Sequence, residues 1–146
     1  MKNLFLLRHA KSSWDNAALA DFDRPLSKRG ISNAILLSEY IQKHNITFDL
    51  VLSSPSERTQ STLDLVLSSL DYFPTTTLKE SIYHASPSSL TQLIKEQDNE
   101  INNLLVIGHN PGLHILTEQL TNQSIVKFPT CENKKITNFN HWRDID

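Results

Sequence analysis

Cysteine is almost absent: Cys131 is the only one in 146 residues. A single thiol closes no internal disulfide and builds no Cys-rich zinc site, so packing alone must hold the fold together. Glycine is scarce as well, at 3 residues, and no Gly/Ser-rich or Pro-rich linker divides the chain. Residues 1–146 therefore read as one domain, which suits the length. No self-similar repeat of roughly 20–50 residues is present, which excludes solenoids and propellers. Positive charge is not in excess, with Lys+Arg 14 against Asp+Glu 16 and a net charge of −2. That balance argues against general binding to nucleic acid or to a membrane surface, both of which favour basic chains. No apolar run approaches the roughly 18 residues of a membrane span. Leu4–Leu7 is too short for a signal-peptide core, and no small-residue cleavage site follows it, so a cytoplasmic protein is expected. There is no Walker loop or Gly-rich dinucleotide fingerprint. Nor is there a Gly-x-Ser-x-Gly elbow, or a Cys-x5-Arg loop around Cys131.

Three short apolar runs are present: Leu4–Leu7, Leu50–Leu52 and Leu104–Ile107. Continuous rather than alternating runs fit strands covered on both faces. Ile125–Phe128 and Ile136–Phe139 are weaker strand candidates. Between the runs lie helical patterns. Ser27 precedes Ile31, Ala34, Ile35, Leu37 and Ile41 as a possible N-cap. Thr59, Thr62, Leu63, Val66, Leu67 and Leu70 follow the spacing of one helix face. Ser54-Pro55-Ser56-Glu57 ahead of them reads as a capping box, with Ser54 at the N-cap. Ser86-Pro87 opens a third helix with Leu90, Leu93 and Ile94. Asn110-Pro111 opens a fourth with Leu113, Leu116, Thr117 and Leu120. Strands alternating with helices predict an α/β fold with a largely parallel sheet.

Each of the three runs ends in a polar loop carrying a cation or a histidine. Leu4–Leu7 leads into Arg8-His9-Ala10-Lys11. Leu50–Leu52 leads into Ser53-Ser54-Pro55-Ser56-Glu57-Arg58. Leu104–Ile107 leads into Gly108-His109-Asn110-Pro111-Gly112. Ligands of open α/β sheets bind beyond the carboxyl ends of the strands. Parallel neighbours would bring Arg8, His9, Arg58 and His109 to one end of the sheet. The helix N-termini expected at Ser54 and Asn110 would add partial positive charge there. Such a pocket suits a tetrahedral dianion. Guanidinium forks match phosphate oxygens, and a neutral histidine can attack phosphorus. This chemistry needs neither a metal nor another cofactor.

At these residues the chain resembles the histidine phosphatase superfamily, with its phosphoglycerate mutase-like fold. The segments are Leu7-Arg8-His9-Ala10, Ser54-Pro55-x-x-Arg58 and Gly108-His109-Asn110-Pro111-Gly112. Arg8-His9-Ala10-Lys11-Ser12-Ser13-Trp14 and Asp23-Arg24-Pro25-Leu26-Ser27-x-x-Gly30 look like its short, SixA-type phosphohistidine phosphatases. The resemblance runs from Leu4 to about Pro129-Thr130. It implies a mixed sheet flanked by helices on both faces. It also implies His9 as the nucleophile and transient phosphohistidine, with Arg8, Arg58 and His109 holding the phosphoryl group. Asn110 and Ser12 are further candidates for phosphate binding. Relatives acting on esters often place a carboxylic acid in a Leu-x-Glu-x-x-Tyr context. Leu78-Lys79-Glu80-Ser81-Ile82-Tyr83 matches that spacing and makes Glu80 the candidate general acid, with Asp15 and His84 as alternatives. A chain this short lacks the long insertions of the mutases. An open site is therefore expected, acting on phosphohistidine in a protein or, alternatively, on a small phosphate ester; a phosphate-binding module without turnover is the third reading.

Other residues read as structural. His44 suits a helix C-terminus. His114 lies five residues after His109, which is off-face for a shared metal. His141 receives no role. Lys11 either steers phosphate or is solvated. Trp14 is expected to pack the first loop, with a substrate rim as the alternative, Tyr83 to pack at the pocket edge, and Cys131 to be half-buried and unactivated.

Overall fold

The computed structural model spans Met1–Asp146. Its strands are β1 (Asn3–Arg8), β2 (Leu50–Ser53), β3 (Thr75–Leu78), β4 (Asn103–Gly108) and β5 (Asn133–Ile136). They form one sheet in the order β3-β2-β4-β1-β5. The first four are parallel, and β5 returns antiparallel against β1. The helices are α1 (Lys28–Lys43), α2 (Glu57–Leu67), α3 (Pro87–Lys95) and α4 (Gly112–Thr121). No helix is long and apolar enough to cross a membrane.

β1 and β4 lie inside the sheet, which is why they read as unbroken apolar runs. Their side chains alternate between two cores. Leu4, Leu6, Leu104 and Val106 pack with Leu90, Ile94, Leu113, Leu116 and Trp142 on one face. Phe5, Leu7, Leu105 and Ile107 pack with Ala34, Ile41, Leu63 and Val66 on the other. The fold is the expected mixed, mostly parallel sheet with helices on both faces.

Two strand expectations are corrected. Ile125–Phe128 forms no strand: Phe128 is buried in the core while Val126 is 98% exposed. The last strand is not Ile136–Phe139 but Asn133–Ile136, because pairing with β1 selects that polar edge segment. β3 had no apolar signature, since Thr75–Leu78 is mostly exposed and is defined by its ladder to β2.

The helix starts differ in detail. Ser27 caps α1 as expected, accepting from the Gly30 N–H at 3.0 Å. The buried face of α1 is Gly30, Ala34, Ser38 and Ile41, while Ile31 and Ile35 stay exposed. The missing side chain of Gly30 decides this, because a Cβ there would collide with the Lys11 carbonyl oxygen. α2 is capped by Ser56, not Ser54, so Glu57 is the first helical residue. Ser86 caps α3 and Pro87 is its first residue, as expected. Asn110 does not cap α4; Pro111 holds that position without a side-chain bond. The Asn110 amide instead donates to the Phe128 carbonyl at 2.8 Å.

Candidate active site

The carboxyl ends of the strands are aligned. Arg8 pairs with Gly108, and Ser53 with Ile107. Beyond them the His9 N–H donates to the Gly108 carbonyl, and the Ser54 N–H to the Ile107 carbonyl, both at 3.1 Å. The three loops are thus stitched side by side. They open into a cleft of about 310 Å³ lined by Arg8, His9, Ser12, Arg58, His109 and Asn110. Lys11, Trp14, Asp21, Arg24, His84 and Thr130 complete its walls.

His9 is buried, and its Nδ1 donates to the Ala10 carbonyl at 2.7 Å. That bond leaves Nε2 as the unprotonated nitrogen. Burial pushes the His9 pKa down to about 4, helped by the charges of Arg58, Arg8 and Arg24 and opposed by the Ala10 bond. The imidazole is therefore neutral at pH 7.

Arg58 sits in the first turn of α2, 3% exposed. Its Nη1 donates to the Asp21 carbonyl at 2.7 Å, and its Nη2 to Asp21 Oδ2 at 3.0 Å. Nη2 also approaches His109 Nδ1 at 3.4 Å. A guanidinium can only donate, so His109 Nδ1 accepts and its Nε2 carries the proton. Burial, then the neighbouring His9 and Arg58, lowers the His109 pKa to about 3. Arg8 Nη1 donates to the Phe128 carbonyl at 3.2 Å. Arg8 Nε is buried without a hydrogen-bond partner. Burial and the adjacent Arg58 lower the Arg8 pKa.

Asp21 opens a short 3-10 turn, Asp21–Asp23, and had no place among the expected site residues. Its Oδ1 accepts from Arg24 Nη1 at 3.0 Å. Its Oδ2 accepts from Arg58, from the Tyr83 hydroxyl at 2.5 Å and from His84 Nε2 at 3.1 Å. Burial alone would raise its pKa; the bonds from Tyr83, Arg58 and His84 outweigh that and hold the carboxyl well below the usual range. Buried Arg24 donates to Ser13 and Ser12 and lies 3.3 Å from the centre of the Trp14 ring. Trp14 stacks on Arg24 but is otherwise 76% exposed and lines the cleft, which is the rim position and not the favoured loop packing. The sequence held one signal for this cluster, the run of Asp21, Asp23 and Arg24 just before Pro25-Leu26, but spacing alone assigns none of them a partner.

The structure brings Arg8, His9, Ser12, Arg58, His109 and Asn110 into one cleft. The Ser12 hydroxyl is occupied by Arg24. Glu80 is exposed in the turn Glu80–Ile82 and does not line the cleft. The same turn buries Ile82, whose methyl lies against the Gly108 backbone. Asp15 lies in the adjoining groove with Ser12 and Trp14, whereas His84 faces the cleft. His44, His114 and His141 lie elsewhere: His44 ends α1, His114 bonds the Ile125 carbonyl and His141 pairs with Asn99. Cys131 is half-buried, and burial pushes its thiol up to about 11, so it is no nucleophile at neutral pH. No group of three or more His, Cys, Asp or Glu side chains is arranged to hold a metal ion.

Comparison with known proteins identifies the fold and the family. An uncharacterised chloroplast protein of Arabidopsis thaliana is 32% identical over 158 residues, covering 98% of this chain and 70% of its own. A structure assigned as the phosphohistidine phosphatase SixA of Agrobacterium tumefaciens superposes with a TM-score of 0.86 at 25% identity, over 92% of this chain and 90% of that one. The protein histidine phosphatase SixA complexed with tungstate shares the fold, with a TM-score of 0.84 at 23% identity over 94% and 89% of the chains. The family profile of the histidine phosphatase superfamily, branch 1, matches residues 4–100. The chain belongs to the histidine phosphatase superfamily, as a phosphatase of its branch 1.

Proposed function

We propose that this protein is a metal-independent phosphatase that forms a covalent phosphohistidine on His9 and acts on phosphohistidine in proteins. The observation that carries the proposal is the state of His9. Its Nδ1 proton is committed to the Ala10 carbonyl, and its Nε2 is free in a cleft shared with Arg8, Arg58 and His109. The substrate phosphoryl docks against the two guanidinium groups, beside a neutral His109 that Arg58 and Ser54 hold in place; paired guanidinium donors are the charge pattern a phosphoryl transition state requires. His9 Nε2 attacks phosphorus and the bond to the leaving nitrogen breaks. Water then attacks phosphorus, and the bond to His9 breaks to release phosphate.

Two observations favour a protein substrate. The cleft is wide and continues into the groove of Ser13, Asp15, Asn16 and Lys28, with no insertion covering it. The similar structures include one assigned as a phosphohistidine phosphatase and one described as a protein histidine phosphatase.

The test is phosphate release from a phosphohistidine-bearing protein and from an aryl phosphate, in chelator, by wild type and His9→Ala. Faster release from the phosphoprotein, lost in the variant by about a thousandfold or more, is the expected result. Wild-type turnover by His9→Ala would refute the nucleophile. A preference for the ester would move the substrate to a small phosphomonoester.

A further inference from the structure

We propose that Asp21 and His84 form a carboxylate–imidazole pair that protonates an oxygen leaving group, which extends the site to phosphomonoesters of unactivated alcohols. The inference rests on His9 being the phosphoryl acceptor and adds the acid that such esters need. A departing imidazole asks little of an acid, whereas an alkoxide leaves slowly unless it is protonated. Glu80, the carboxylate at the expected spacing, lies outside the cleft, and His84 lines it.

Geometry singles out His84. Its ring centre is 5.1 Å from that of His109, which is 5.2 Å from that of His9. Nε2 donates to Asp21 Oδ2 at 3.1 Å, and Nδ1 has no partner in the protein. The pair is therefore oriented at one nitrogen and open at the other, as a proton donor must be. Asp21 is itself held by Arg24, Arg58 and Tyr83. Arg24 is anchored in turn by Ser12, Ser13 and Trp14. His84 also adopts a left-handed backbone with φ 53°. Residues other than glycine hold that conformation only where their surroundings impose it. Here the next residue, Ala85, lies against Gly112, where a Cβ would strike the Ala85 carbonyl oxygen.

Four groups face the His84 ring: the Asp21 carboxylate in direct contact, Tyr83 with ring centres 4.2 Å apart, neutral His109, and Arg58 across the shared carboxylate. With its Nε2 proton on Asp21, His84 can give a proton from Nδ1 only as the doubly protonated ring. In the first step His9 Nε2 bonds to phosphorus, the phosphorus–oxygen bond breaks, and the leaving oxygen takes the Nδ1 proton of His84. In the second step water attacks phosphorus, His84 Nδ1 takes its proton, and the bond to His9 breaks.

The experiment compares wild type, His84→Gln and Asp21→Asn on phenyl phosphate and on 2,4-dinitrophenyl phosphate. His84→Gln is expected to lose at least about tenfold more kcat/KM on the poor leaving group than on the good one. Equal losses on both would reduce His84 to a packing residue and overturn the proposal. The NMR resonances of the His84 ring, assigned by their loss in His84→Gln, supply a readout independent of turnover. Asp21→Asn should move those ring resonances as the Nε2 contact with the carboxylate is lost, and unmoved resonances would overturn the pair. Activity on a phosphohistidine protein with none on phenyl phosphate would overturn the pair while leaving the His9 mechanism intact. Turnover unaffected by His9→Ala would defeat the mechanism itself.

Discussion

His109 donates from Nε2 to Ser54 Oγ at 2.8 Å, so a hydroxyl from the β2 exit orients an imidazole from the β4 exit. Ser54 Oγ also accepts from the Ser56 N–H at 3.3 Å. Ser56, two residues on, caps α2. Two serines that look alike in sequence therefore do different work. Ser56→Ala should cost about 1 kcal/mol of stability, read as a lower urea midpoint. Ser54→Ala should instead lower kcat/KM by about tenfold with the fold retained, because His109 loses its orienting partner. Equal kinetic effects in the two variants would contradict this division.

Arg58 is the hub of the cleft. Its guanidinium reaches the Asp21 carbonyl, the Asp21 carboxylate and His109 at once. A lysine cannot reproduce that fork. Arg58→Ala should reduce kcat/KM by about a hundredfold to a thousandfold, and Arg58→Lys should recover little of it. Full rescue by lysine would mean that charge alone matters at this position.

The two site histidines link activity and stability to pH. Both are held below the ordinary value of 6.5, His9 at about 4 and His109 at about 3, chiefly by burial. Between those values and 6.5 the unfolded chain binds more protons than the folded one, so stability rises with pH across that window. Their contribution is complete above about pH 6.5 and is lost as pH falls through about 4 and then 3. For His9 it amounts to about 3 kcal/mol. Urea midpoints should fall between pH 7 and pH 4, and His9→Asn should flatten that slope. The acid limb of kcat/KM should likewise lie near pH 4; a limb near 6.5 would show that His9 is not held neutral by its surroundings.

Gly112 lets the start of α4 press on the loop that carries His84. Gly112→Ala would place a methyl against the Ala85 carbonyl oxygen. A cost of about 1–3 kcal/mol is expected, together with reduced phosphatase activity from displacement of the Tyr83–His84 segment. Unchanged stability would show that the contact yields without strain. Thermal unfolding and steady-state kinetics on one preparation read both effects.

The sequence by itself determined the buried strands, because Leu4–Leu7, Leu50–Leu52 and Leu104–Ile107 must be covered on both faces. It also determined that Arg8, His9, Arg58 and His109 follow those strands, because parallel strands deliver the residues after them to one end of the sheet. Local chemistry was enough for the α1 and α3 starts, where Ser27 and Ser86 bond the N–H three residues on. Tertiary structure decided the rest. β3 and β5 are polar edge segments that become strands only because β2 and β1 offer them unpaired backbone. Ser54 and Ser56 both precede the helix, and the spacing to Glu57 points to Ser54 as the cap; the neighbouring His109 claims Ser54 and leaves Ser56 to cap α2. Glu80 has the right spacing but faces solvent, while Asp21, with no spacing signal, accepts from four side chains at the cleft wall. Those donors come from 3, 37, 62 and 63 residues away in sequence. A carboxylate's role depends on the donors around it, and only the folded chain assembles these.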